Sequence, residues 1–156
     1  MGKLTILSVD DNVADQKLIA LALKAANSYV DLHTLGNGDE AIACLRRRGK
    51  YASAPRPDLI ILDLNLPKVS GADVMREIRR DASLKDIPVV IFTGAKLSRE
   101  MAALCEHNFS FYVVKPDGLT AFFAVIRAME EYARSMVETP RSDIEDGEKL
   151  RRLFAA

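Results

Sequence analysis

The chain has no excess charge of either sign: 22 Lys and Arg offset 22 Asp and Glu, a formal net charge of zero over 156 residues. Nucleic-acid-binding domains neutralise phosphates with a basic footprint, and the overall balance supplies none. Cysteine is scarce. Cys44 and Cys105 are too few for the disulfide framework of a small secreted domain. Both lie in apolar stretches with helical spacing, which predicts buried, reduced thiols and a reducing compartment. No apolar run approaches the roughly 18 residues of a membrane span. Met1-Gly2-Lys3 leads straight into a short β-like run, without the apolar core and cleavage site of a secretory signal. The expectation is a cytoplasmic protein with neither nucleic acid nor membrane as a partner.

What is present is an alternation. Hydrophobic residues at 49% and charged residues at 28% are close to globular averages, and the length suits one domain of roughly 100–200 residues. Leu4 to Val9 is a β-rich run closed by Asp10-Asp11-Asn12. Val13 to Ala26 then repeats apolar residues at helical spacing. A second unit pairs a strand over Tyr29 to Leu35 with a helix over Asp39 to Arg48, across the Gly36-Asn37-Gly38 turn. After a proline-bearing loop, Asp58-Leu59-Ile60-Ile61-Leu62 is an uninterrupted apolar strand ending at Asp63, and Pro67 and Gly71 bracket a turn before a helix that runs to about Arg80. Pro88 to Phe92 ends at Thr93-Gly94 and precedes a helix over Ser98 to His107. Phe111 to Val114 ends at Lys115-Pro116, and a long helix covers Leu119 to Glu138. Continuous apolar strands suit a parallel sheet covered on both faces.

Five strand-then-helix units predict an α/β fold with a five-stranded parallel, doubly wound sheet. Sites in such sheets lie beyond the carboxyl ends of the strands. Those ends carry Asp10 and Asp11, Asp63, Thr93 and Lys115. Three carboxylates at one rim repel one another unless a cation sits among them. Lys115 offsets one charge and a divalent metal could offset the rest; an all-oxygen ligand set suits Mg2+ better than Zn2+. A carboxylate nucleophile, a metal and an ammonium are the equipment of phosphoryl transfer. Taken singly, Asp10, Asp11 and Asn12 are also good helix caps, Asp63 a good turn residue and Thr93 an ordinary strand end.

In order along the chain, Val9-Asp10-Asp11-Asn12, Leu62-Asp63-Leu64-Asn65-Leu66-Pro67 with Gly71, Phe92-Thr93-Gly94 and Tyr112-Val113-Val114-Lys115-Pro116 resemble the receiver domain of two-component response regulators. The loop Lys50 to Pro57 and the run Leu84 to Val90 are similar to single-domain regulators that partner bacterial phytochromes. The resemblance implies a flavodoxin-like fold with strand order 2-1-3-4-5. It implies that Asp63 accepts a phosphoryl group from a histidine kinase, and that Asp10, Asp11, Asp63 and the Asn65 carbonyl hold Mg2+. Lys115 would pair with the phosphoryl oxygens, and Pro116 would follow a cis peptide. Thr93 would bond the new group, and Tyr112 would swing inward as a switch, although a static half-buried tyrosine fits its position as well. Asp117-Gly118 departs from the Pro-Phe that many receivers carry after the lysine.

The domain is expected over residues 1–138, with 139–156 as an extension: a frayed tail, short amphipathic helix or docking segment. The protein is expected to be a switch and not a metabolic enzyme, with a bacterial phytochrome as candidate kinase. The surplus apolar width of the last helix suggests a homodimer surface there and on the fifth strand. Competing readings are an aspartyl-phosphate phosphohydrolase, which wants a second Asp where Asn65 stands, and an adaptor that is never phosphorylated. A flavin-binding module is disfavoured, since no Ser/Thr/Gly-rich phosphate loop follows Val9. Arg46-Arg47-Arg48 is expected to be a solvated helix end, and His33 and His107 to be surface or packing residues.

Overall fold

The structure is a computed structural model that describes residues 2–26, 29–94 and 111–138. The helix expected over Ser98 to His107, with Cys105, and the extension 139–156 lie outside the described residues.

Five parallel strands form one sheet: β1 (Leu4–Val9), β2 (Val30–Leu35), β3 (Leu59–Leu62), β4 (Val89–Thr93) and β5 (Phe111–Val114), in the order β2-β1-β3-β4-β5. Helices α1 (Val13–Ala25), α2 (Gly38–Leu45), α3 (Gly71–Arg80) and α4 (Leu119–Glu138) cover it. Because successive side chains on a strand point to opposite faces, each central strand feeds two cores. Leu4, Ile6, Leu59, Ile61, Val90, Phe92 and Val113 pack with Ile19, Leu23, Phe122, Ile126 and Met129 of α1 and α4. Leu7, Val9, Ile60, Leu62, Val89 and Ile91 pack with Val74, Met75 and Ile78 of α3 and Leu45 of α2. This double burial is why β3 reads as an unbroken apolar run. β2, at the edge, is mostly half-buried, which accounts for its poor alternation.

From β1 the chain steps outward to β2 and returns on the other side to β3, so β1 and β3 flank the point where winding reverses. Both strands are followed by aspartates whose amides remain in the ladder: Asp10 N–H donates to the Leu35 carbonyl at 3.0 Å and Asp63 N–H to the Val9 carbonyl at 2.9 Å. Two carboxylates are thereby fixed side by side on a rigid edge.

The α2 helix stops at Leu45, short of the expected Arg48. Arg48 N–H bonds the Ala43 carbonyl at 2.9 Å and Arg47 N–H the Cys44 carbonyl at 3.1 Å, with Arg47 at φ 53°. This is a Schellman end with arginine in the left-handed position that glycine usually takes. Arg46 pairs with Glu77 and lies 3.9 Å from Asp81, while Arg47 and Arg48 are exposed. With Arg56 and Ser83 these arginines line a cleft of about 630 Å³ at the end of the sheet remote from Asp10 and Asp63. Cys44 is buried and unpaired, and burial pushes its thiol up. His33 is half-buried beside Asp31, at 2.9 Å. Among the described residues no helix is long and apolar enough to cross a membrane.

A left-handed conformation costs a residue with a Cβ about 1–2 kcal/mol. Arg47→Gly is therefore expected to raise the unfolding free energy, by about 1 kcal/mol after glycine's greater freedom in the unfolded chain is subtracted. The urea midpoint, at unchanged slope, measures it.

Candidate functional site

The residues predicted at the rim do converge. Asp10 follows β1, Asp63 follows β3, Thr93 ends β4 and Lys115 follows β5. Asp10 and Asp63 are 4% and 6% exposed, whereas Asp11 is exposed and makes no hydrogen bond or ion pair with the described residues. One oxygen from each of Asp10, Asp11 and Asp63 lies within 4.8 Å of the others.

The two buried carboxylates are held alike. Asp10 Oδ1 accepts from the amide of Asn12 at 2.8 Å and Asp63 Oδ1 from the amide of Asn65 at 3.0 Å, each two residues on. Their second oxygens face Lys115 Nζ, at 2.6 Å from Asp10 Oδ2 and 3.1 Å from Asp63 Oδ2. Lys115 is aimed by its own amide, which donates to the Thr93 carbonyl at 2.8 Å, and its ammonium lies 5.9 Å from the centre of the Phe92 ring. Thr93 is fully buried. Tyr112, paired in register with Ile91, is half-buried against the core shared with α3.

The peptide before Pro116 is trans, not cis as the family resemblance implied. Proline allows either isomer at little cost, and with the trans bond the Lys115 side chain already reaches the carboxylates. Gly118 explains part of the departure from Pro-Phe. It sits at φ 93°, a conformation open to glycine, and its carbonyl accepts from Phe122 N–H at 3.1 Å in the first turn of α4.

Two contributors were not foreseen. Asp15 Oδ2 lies 2.7 Å from Lys115 Nζ; the two are 100 residues apart, and no local pattern in the sequence joins them. Gln16 Oε1 accepts from the Ser8 hydroxyl at 2.6 Å. Its Nε2 faces the carbonyls of Ser8, Asp10 and Leu35 at 3.1–3.2 Å, tying the ends of β1 and β2 together under Asp10. A buried serine in an apolar strand was the clue, since such a hydroxyl needs a partner.

Charge follows from geometry. Burial pulls the Lys115 ammonium down, but hydrogen bonds to Asp10 and Asp15 and the charges of Asp63 and Asp10 together hold it above the ordinary lysine value. Burial raises the Asp10 carboxyl, helped by Asp63, and Lys115 and the Asn12 amide only partly offset this. The rim keeps an excess of negative charge. The donors fit a divalent cation: three carboxylate oxygens are close, and the Asn65 carbonyl accepts no hydrogen bond from the described residues.

An acidic cluster with one lysine at the carboxyl edge of a 2-1-3-4-5 sheet defines the receiver class, and the chain belongs to the response regulator receiver domain family, which residues 6–127 match. Within that family it is homologous to phytochrome response regulators. Response regulator Rcp1 of Synechocystis sp. is 36% identical over 135 residues, spanning 86% of this chain and 92% of Rcp1. The crystal structure of the phosphorylated cyanobacterial phytochrome response regulator RcpA matches with a TM-score of 0.80 at 38% identity, over 86% of this chain and 96% of RcpA. The Mn(2+)-bound form of Rcp1 matches with a TM-score of 0.76 at 37% identity, over 82% of this chain and 92% of that one.

Two outcomes are expected. A Cβ on Gly71 would strike the Asp63 carbonyl oxygen and lie 2.6 Å from the Leu64 Cα. Gly71→Ala should therefore cost about 1–3 kcal/mol in urea unfolding, as overpacking does. A carboxyl whose folded pKa is raised binds its proton more tightly folded than unfolded, so ionising it costs stability above the ordinary value of 3.8. Asp10→Asn should unfold at higher urea than wild type at pH 7, and the gap should narrow as pH falls towards 3.8.

Proposed function

We propose that this chain is a single-domain response regulator phosphorylated on Asp63 by a histidine kinase in a Mg2+-dependent reaction. The carrying observation is the Asp63 carboxylate itself: one oxygen is held by the Asn65 amide, and the other lies 3.1 Å from Lys115 Nζ beside Asp10. In the reaction an Asp63 oxygen attacks the phosphorus of a phosphohistidine. The P–N bond breaks and its electron pair stays on the imidazole nitrogen. No general base is needed, because an ionised carboxylate is already a nucleophile.

Asp10, Asp11, Asp63 and the Asn65 carbonyl would hold Mg2+, which supplies positive charge against the phosphoryl oxygens when bound. Lys115 supplies a second positive charge, held protonated by its carboxylate neighbours. Thr93 closes the site from β4. Phosphorylation replaces the singly charged Asp63 carboxylate with a phosphoryl group of about −1.5 to −2 charge, a net gain of roughly one negative charge that also moves outward, which biases Thr93 and Tyr112 towards a second arrangement. The phytochrome relatives, spanned over 92% and 96% of their length, support a single-domain regulator and a phytochrome-type kinase as partner. Exposed Val114 on β5 and Leu119 on α4 support a contact with a second copy. Asn65, where an aspartyl-phosphate hydrolase would need its acid, supports a switch over a turnover enzyme.

Intact-mass measurement with acetyl phosphate and Mg2+ tests this reading. Wild type should gain one hydroxylamine-sensitive phosphoryl group, lost on chelation of Mg2+ beforehand, and Asp63→Asn should gain none. Labelling that persists in Asp63→Asn, or sustained turnover of phosphomonoesters, refutes it.

A further inference from the structure

We propose that Asp15 is a positioning residue for Lys115, a tether that keeps the ammonium at the rim when its other two carboxylates are taken over. The proposal deepens the phosphoacceptor reading and rests on it for its functional consequence, though not for its geometry.

An ammonium has three donors and no acceptor. Lys115 spends them on Asp10 Oδ2 at 2.6 Å, Asp15 Oδ2 at 2.7 Å and Asp63 Oδ2 at 3.1 Å. Two of those partners belong to the chemistry. Asp10 and Asp63 are in the trio whose oxygens lie close enough to share a cation, and Asp63 is the proposed acceptor. Asp15 is not in that trio. Its charge is the part of Lys115's environment that cation binding and phosphorylation leave alone.

Asp15 is also built to stay in place. Its amide donates to Asn12 Oδ1 at 3.0 Å, which caps α1 and fixes Asp15 in the first turn. There the helix N-terminus favours a carboxylate without competing for it through a side-chain bond. Its side chain is 20% exposed and that of Lys115 is 14% exposed, so the pair is shielded on the water side more than a surface ion pair. Without Asp15, a lysine losing Asp10 to a cation keeps only its longest contact, to the group it must serve. With Asp15 the ammonium remains anchored from α1, its third donor turned towards Asp63.

A bland alternative is that Asp15 only complements the dipole of α1. That role predicts a small stability effect and no change in Lys115, so reactivity of the amine separates the two. Competitive acylation of the full chain, read at Lys115 by mass spectrometry without metal or phosphodonor, is compared across wild type, Asp10→Asn, Asp15→Asn and the double variant. Each single substitution should leave Lys115 protected. The double variant should acylate several-fold faster, because the two shortest hydrogen bonds that hold the ammonium at the rim are gone. A double variant no more reactive than Asp10→Asn overturns the tether. With Mg2+ and acetyl phosphate, Asp15→Asn should phosphorylate on Asp63 several-fold more slowly than wild type, and an unchanged rate overturns the functional half. If wild type itself is not phosphorylated, the phosphoacceptor reading fails while the acylation comparison still judges the tether.

Discussion

Negative charge that cannot disperse governs this molecule. Asp10 and Asp63 are buried side by side because the ladder holds them there, with Asp11 and Asp15 at their margins. Burial, and to a lesser extent the charge of Asp63, oppose the ionisation of Asp10. One ammonium, itself largely buried, answers these carboxylates, and its elevated pKa records how strongly they need it. Much of the local architecture can be understood as support for that imbalance: backbone amides of Asn12 and Asn65 on the outer oxygens, Gln16 beneath the Asp10 carbonyl, and the Thr93 carbonyl steering Lys115. A rim held short of positive charge is poised to take up a cation. A fixed carboxylate within it is poised to take up a phosphoryl group.

The scaffold makes this tolerable. Each central strand is buried on both faces, so the sheet edge is rigid and the cost of gathering like charges is carried by two cores. Gly71 shows how little slack exists, since α3 starts close against the backbone that carries Asp63. The Ser70–Asp73 capping box sets that start.

Most of the fold was legible because its signals are local. β5 and α4 fall where the apolar pattern places them, and the strand-end polar residues at Asp10, Asp63, Thr93 and Lys115 do share one rim. What escaped was non-local or conformational. Asp15 meets Lys115 across 100 residues, and nothing in either neighbourhood announces the pair. The end of α2 was misjudged because arginine occupies a left-handed position for which glycine is the usual sign. The isomer before Pro116 was carried over from relatives, and proline alone does not choose between the two forms.

The contacts of Lys115 have a directional consequence. The lysine follows the last strand, 105 residues beyond Asp10 and 52 beyond Asp63. A ribosome delivers the carboxylates first, and the first three strands can associate while their edge is still uncompensated. Only after position 115 emerges can the ammonium close the cluster. The acidic edge is therefore completed late in synthesis, with only α4 still to emerge, and a chain that stops short of position 115 has the nucleophile without the charge that organises it.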